Sequence, residues 1–248
     1  MTAASRPVIG ARAATRCIAV AASIARSWFI ILFVTSSIPA LAQLEPNEVE
    51  LEDVIEIEVL GRDLLAYDLL GTSTLTVRLE IGESLIWQRT SGRIGLVMTD
   101  RRALAVTPDS SRWHAVRWGV HEVAPGRGFV GKRVALIVTS RRILGYDSRS
   151  RVWLEQDLGP NEEALAASVG ASTAAVVTDR TAYGLSPDSG GFFGTPMEIH
   201  EEFRELRVTS NMATVRTSKR LLVFRAPVGV WSEENRPIHG EGSSRRDR

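Results

Sequence analysis

Along most of the chain, short runs of apolar, β-branched residues alternate with polar breaks of two to four residues. Val134–Asp157 (VALIVTSRRILGYDSRSRVWLEQD) shows the pattern best. Val134–Thr139 is apolar and β-branched, with no Gly or Pro; Ser140 and Arg141 interrupt it, and Ile143–Tyr146 resumes it. Asp147–Ser150 is turn chemistry, because Asp and Ser side chains bond their own backbone and favour reversal. Val152–Leu154, led by Trp153, opens a third run. Runs this short, bounded by turn formers, predict strands joined by tight turns.

The pattern repeats. Thr99, Thr139, Thr178 and Thr217 lie 40, 39 and 39 residues apart, and Leu60 precedes Thr99 by 39. Seven positions on come Tyr67, Val106, Tyr146, Leu185 and Phe224; seven further come Thr74, Trp113, Trp153, Phe192 and Trp231. Four of the five copies thus carry a large aromatic at one register position. A period near 40 residues built from short strands predicts propeller blades, each of which must stack on a neighbour to bury its faces. The expected fold is all-β: a five-bladed β-propeller of four-stranded antiparallel blades over residues 43–238, closed into one ring. The registered aromatics are expected to wedge between adjacent sheets. Residues 84–90, 123–130, 164–169 and 203–208 are the expected innermost strands, with Pro125, Gly126 and Gly128 making the second of these irregular. Val54–Val59 alternates apolar and acidic residues and reads as a half-exposed strand of the most divergent copy.

An aromatic followed by Asp, then a Trp seven positions on, resembles the kelch blade, with Tyr146-Asp147 and Trp153 the clearest instance. The order apolar strand, tight turn, apolar strand, Trp also resembles the quinoprotein-type blade. The chain departs from both: the kelch double glycine before the second strand is missing, and Asp-Arg or Ser-Arg replaces the quinoprotein turn glycines. The resemblance implies the propeller architecture, and not a kelch partner or a quinone cofactor.

Composition changes the picture at the N-terminus. Met1–Arg26 holds Arg6, Arg12, Arg16 and Arg26 and no acid; an apolar core at Trp28–Val34 and small residues at Ala40-Leu41-Ala42 follow. This order predicts a secretory signal over residues 1–42, with Gln43 as the mature start. The apolar core is about half the ~20 residues that a membrane span needs, so no transmembrane anchor is expected after cleavage. Residues 1–42 contain four of the 30 basic residues and none of the 29 acids, leaving the exported chain at net −3. That balance argues against general nucleic-acid binding. The single cysteine, Cys17, lies in the leader. No disulfide is then expected, and a periplasmic or secreted monomer held together by core packing is. Residues 239–248 read as a polar, disordered tail.

One positional feature bears on function. The turn between the first two strands of each unit carries Arg62, Arg101 and Arg102, Arg141 and Arg142, Arg180, or Lys219 and Arg220. In a propeller these turns share one rim, so these eight residues are the candidate ligand-binding set, suited to carboxylate or phosphate. Linker acids, among them Glu80, Glu83, Glu122, Asp157, Glu162, Glu163, Glu198, Glu201 and Glu202, are the alternative partners of the same cations, blade to blade. No catalytic residues stand out. The three inner strands over residues 84–90, 123–130 and 164–169 hold no Asp or Glu, so a paired-carboxylate glycosidase lacks its parts. His114, His121, His200 and His239 have no ligand spacing, and no metal or other cofactor is expected. Trp87 and Trp118 fall outside the aromatic register; Trp87, on an inner strand, is the better ligand contact of the two. The expected function is a binding or scaffolding module that captures an envelope protein segment or an anionic ligand. A lectin-like sugar binder and a glycan hydrolase are the alternatives.

Overall fold

The computed structural model describes residues 53–234 apart from 70, 72 and 73. The expected signal segment, with Cys17 and Trp28, and the expected tail, with His239, lie outside the described residues. Blade 1 comprises β1 (Ile55–Leu60), β2 (Asp63–Asp68) and β3 (Thr74–Arg78). Blade 2 comprises β4 (Leu85–Ser91), β5 (Ile94–Thr99), β6 (Arg102–Val106) and β7 (His114–Arg117). Blade 3 comprises β8 (Phe129–Val130), β9 (Val134–Val138), β10 (Arg142–Asp147) and β11 (Val152–Asp157). Blade 4 comprises β12 (Ala164–Val169), β13 (Ala174–Thr178), β14 (Thr181–Ser186) and β15 (Gly191–Pro196). Blade 5 comprises β16 (Phe203–Val208), β17 (Met212–Thr217), β18 (Leu221–Arg225) and β19 (Val230–Glu234). Each blade is an antiparallel meander, of four strands in blades 2–5 and of three among the described residues in blade 1. The chain is a five-bladed β-propeller. In blade 3 the inner strand shrinks to two residues, because Pro125 and its glycines cannot hold a ladder there.

The second strand from the centre explains the unbroken apolar runs. Every residue of β5 is buried, as is every residue of β13. Ile94, Leu96 and Met98 face forward onto Ala135 and Ile137 of blade 3. Val97 faces backward onto Ile55 and Ile57 of blade 1. A strand covered on both faces has no polar side to write. The registered tryptophans lock these contacts. The indole N–H of Trp113 donates to the Leu75 carbonyl (3.2 Å), that of Trp153 to His114 (3.1 Å), and that of Trp231 to Phe193 (2.8 Å), each on the preceding blade. Backbone bonds add a second seam: Val54 N–H to Gly92, Arg93 to Lys132, Arg133 to Ala171 and Ser172 to Ser210, at 2.8–3.0 Å. At this seam Gly170 admits no side chain, since a Cβ there would sit 1.8 Å from the Thr209 carbonyl oxygen.

Among the described residues, extensive strand packing runs from blade 1 to 2, 2 to 3, 3 to 4 and 4 to 5, and none as extensive joins blade 5 to blade 1, where closure of the ring was expected. The backward-facing positions of blade 1 are correspondingly polar. Where blade 2 has Gly95, Val97, Val106 and Trp113, blade 1 has Glu56, Glu58, Tyr67 and Thr74, all exposed. The forward face of blade 5 likewise exposes Met212 and Arg216, whereas Ile94 and Met98 of blade 2 are buried.

Candidate binding rim

The inter-blade linkers and the turns between the second and third strands meet at one rim, and each is built to a formula. Residues 80–83, 119–122, 159–162 and 198–201 form four equivalent β-turns, closed by the N–H of Glu83, Glu122, Glu162 or Glu201 bonding back to residue i. The third residue has positive φ in each: Gly82 (73°), His121 (64°), Asn161 (57°) and His200 (60°). Positive φ at that place alone marks a type II turn. His121 and His200 are therefore turn residues. The fourth residue is always Glu. It folds back to accept the N–H of the first, at 2.6–2.7 Å, and the hydroxyl of the register Thr: Thr99, Thr139, Thr178 or Thr217. The Thr hydroxyl also caps its own tight turn, accepting the N–H two and three residues on.

Three residues after the Thr stands the first class of cation. Arg102 pairs with Glu83 at 2.8 Å, Arg142 with Glu122 at 2.9 Å and Arg220 with Glu201 at 2.9 Å. The three glutamate side chains are at most 1% exposed and the three arginine side chains at most 15%. Each arginine then reaches backward to the preceding blade, donating to the carbonyl of Arg78 (3.3 Å), Arg117 (2.5 Å) or Pro196 (2.8 Å). The linker acids thus pair with these arginines, each with that of the blade its linker leads into, and the second arm of the guanidinium crosses to the preceding blade. Burial pushes the carboxyl pKa of Glu83, Glu122 and Glu201 up. The bound guanidinium, the Thr hydroxyl and the turn N–H outweigh it and hold all three below the ordinary value. In blade 4, Thr181 stands where the arginine would be, and the Tyr183 hydroxyl reaches Glu162 instead (3.3 Å).

Two residues after the Thr, except in blade 1, stands the second class: Arg101, Arg141, Arg180 and Lys219. Arg101 pairs with Glu80 at 3.2 Å and Lys219 with Glu198 at 3.2 Å. The same turn position in blades 3 and 4 is Gly119 and Gly159, which offer no carboxylate. Among the described residues the Arg141 side chain has no ion-pair partner. Arg180 has only Asp179, at 3.9 Å and with both side chains about half exposed. A groove of about 530 Å³ opens beside Arg141, lined by Ser140, Asp157, Leu158, Gly159, Pro160 and Asn161. Arg62, in blade 1, donates to the Leu79 carbonyl. The candidate set therefore divides: Arg102, Arg142 and Arg220 are internal clamps, Arg101 and Lys219 are neutralised, and Arg141 and Arg180 face solvent beside a groove.

Sequence reasoning missed the apolar tips of these turns. Ile81, Val120 and Ile199, each at least 80% exposed, and Pro160 occupy the second turn position. Their spacing on the repeat was the signal. Trp87 is half-buried against the core between blades 2 and 3. Trp118 donates its indole N–H to the Thr99 carbonyl at 2.8 Å.

No family model matches the chain, and no curated protein matches it. Similar solved structures are β-propeller proteins. The N-terminal domain of Nup159 is 12% identical with a TM-score of 0.35, over 74% of this chain and 58% of that one. Prp20p of Saccharomyces cerevisiae is 6% identical with a TM-score of 0.39, over 70% and 56%. PorZ, a surface component of the type-IX secretion system of Porphyromonas gingivalis, is 13% identical with a TM-score of 0.37, over 75% and 27%. The chain thus matches little more than half the length of the first two.

Proposed function

We propose that this chain is an exported, non-enzymatic binding module that captures a carboxylate-bearing protein segment at the rim of blades 3 and 4. The observation that carries this reading is the exchange of Glu80 and Glu198 for Gly119 and Gly159, which leaves Arg141 and Arg180 without the carboxylate their equivalents have. A guanidinium on a rigid turn, with a groove beside it, suits the fork geometry of a carboxylate. The exposed tips Val120 and Pro160 add apolar contact for the residues flanking such a side chain. Polarisation of a labelled acidic peptide, measured on the chain from Gln43, tests the reading. Arg141→Glu with Arg180→Glu is expected to weaken binding by at least about tenfold, on the scale of one lost charged contact, without moving Tm. Equal binding by the double variant refutes it. The export half of the reading is checked separately, by sequencing the N-terminus of protein recovered from the cell envelope or medium.

A further inference from the structure

A second cluster of cations lies away from the rim, where the outer strands of blades 2 and 3 meet. Arg112 precedes β7, Arg151 closes the β10–β11 turn, and His114 opens β7; with Trp113, Val152 and Trp153 they line a groove of about 400 Å³. Among the described residues neither Arg112 nor Arg151 has an acidic partner, although Arg149 in the same turn pairs with Asp188 at 3.7 Å. Two like charges from different blades line one groove. Burial pushes the His114 pKa down, and the two nearby guanidinium groups push it the same way.

The backbone supplies an independent observation. Arg151 has φ 59°, in the left-handed region. Its register equivalents in blades 4 and 5 are Gly190 (φ 73°) and Gly229 (φ 64°). Two sibling turns thus use the residue that this conformation favours, while blade 3 holds a β-carbon there at a cost of about 1 kcal/mol. Strain kept at one of several equivalent positions marks a side chain wanted for something other than stability. We propose that Arg112, Arg151 and His114 form an oxyanion site for a phosphomonoester group, with the two guanidinium forks gripping the phosphate and the imidazole donating to it. The edges of Trp113 and Trp153 and the exposed Val152 give the ester's organic part an apolar wall.

Titration of the chain from Gln43 with inorganic phosphate and with phenyl phosphate, followed by tryptophan fluorescence and calorimetry, tests this, with acetate as the monoanion control. Saturable phosphate binding, tighter for the phenyl ester and not matched by acetate, is expected. Arg112→Glu is expected to abolish it at unchanged Tm. Arg151→Gly is expected to raise Tm while weakening phosphate at least about tenfold, the value of one charged contact. This opposite movement of stability and binding is not produced by a merely structural arginine. Arg141→Glu is expected to leave phosphate binding intact, so this site stands or falls apart from the rim. Phosphate binding that survives Arg112→Glu and Arg151→Gly, competition by acetate at equal strength, or no saturation at all each overturns the proposal.

Discussion

Arg141 and Arg142 are neighbours in sequence and have opposite surroundings. Arg142 opens β10, so its side chain lies along the sheet edge. There it is 15% exposed, binds Glu122 and Glu155, and touches the Arg117 carbonyl of blade 2. Arg141 is the last residue of the turn, is exposed and has no ion-pair partner among the described residues, position 119 being glycine. One step along a strand flips a side chain to the other side. Here that step separates a residue that joins two blades from one free to meet a ligand. Residue type therefore says little about the role of a rim arginine; register and the identity of one linker residue decide it.

Variants at these sites can break or sharpen the contrast. The largest effect is expected from Arg142→Ala, which strands the Glu122 carboxylate and the Arg117 carbonyl; a loss of about 3–5 kcal/mol by chemical denaturation follows from leaving one half of a buried pair alone. Acid should act on all three clamps together. Their carboxyl pKa values are lower in the folded protein than the ordinary 4.5, so the stabilisation is complete above that value and is lost as pH falls through the depressed ones. A denaturation series from pH 6 down to about pH 3 should show that loss, and the Arg142→Ala variant should lose less over the same range. Thr139→Val removes one hydroxyl that both donates to Glu122 and caps the turn, and should cost about 1–2 kcal/mol. Gly119→Glu recreates in blade 3 the pair that Arg101 makes with Glu80. It should change Tm by the equivalent of less than about 1 kcal/mol, as exposed pairs do, yet reduce acidic-peptide binding. Arg141→Ala should be the quietest for stability, within about 0.5 kcal/mol, and should be felt only in binding. If Arg141→Ala destabilised as much as Arg142→Ala, the contrast would be void.

Much of the fold was legible because its signals repeat. The spacing of Thr99, Thr139, Thr178 and Thr217 located the tight turns, and the aromatic seven plus seven residues on located the wedge between blades. The carboxylates that would clamp the rim were also visible, but not their geometry. Nothing in the string says that Glu122 binds Arg142, or that Arg142 spans to blade 2, since both contacts join segments 20 or more residues apart. The bare outer face of blade 1 was legible too. Thr74 stands where every other copy has a large aromatic, and Glu56 and Glu58 stand where the other blades carry apolar or small residues. Those residues read as divergence of an end repeat, and in the fold they are exposed. The phosphate site was hidden for the opposite reason: it rests on departures from the repeat, Arg151 in a glycine position and Arg112 beside a wedge tryptophan, and a search for regularity passes over such residues.

The exposed outer faces of blades 1 and 5 have a wider bearing. A sealed propeller fixes its own membership, because one more sector would change the angle at every junction. An array whose end faces stay apart has interfaces that answer only to the two sheets forming each, so the number of units can vary while every junction keeps its angle. Duplicating the segment from Gly131 to Val169, which begins at one seam and ends just before the matching one, should lengthen the stack by one sheet and carry a second copy of Arg141 and its groove with it. Under the proposed capture of a protein segment, gain and loss of whole units would then set how much of a partner is held, with no redesign of the parts.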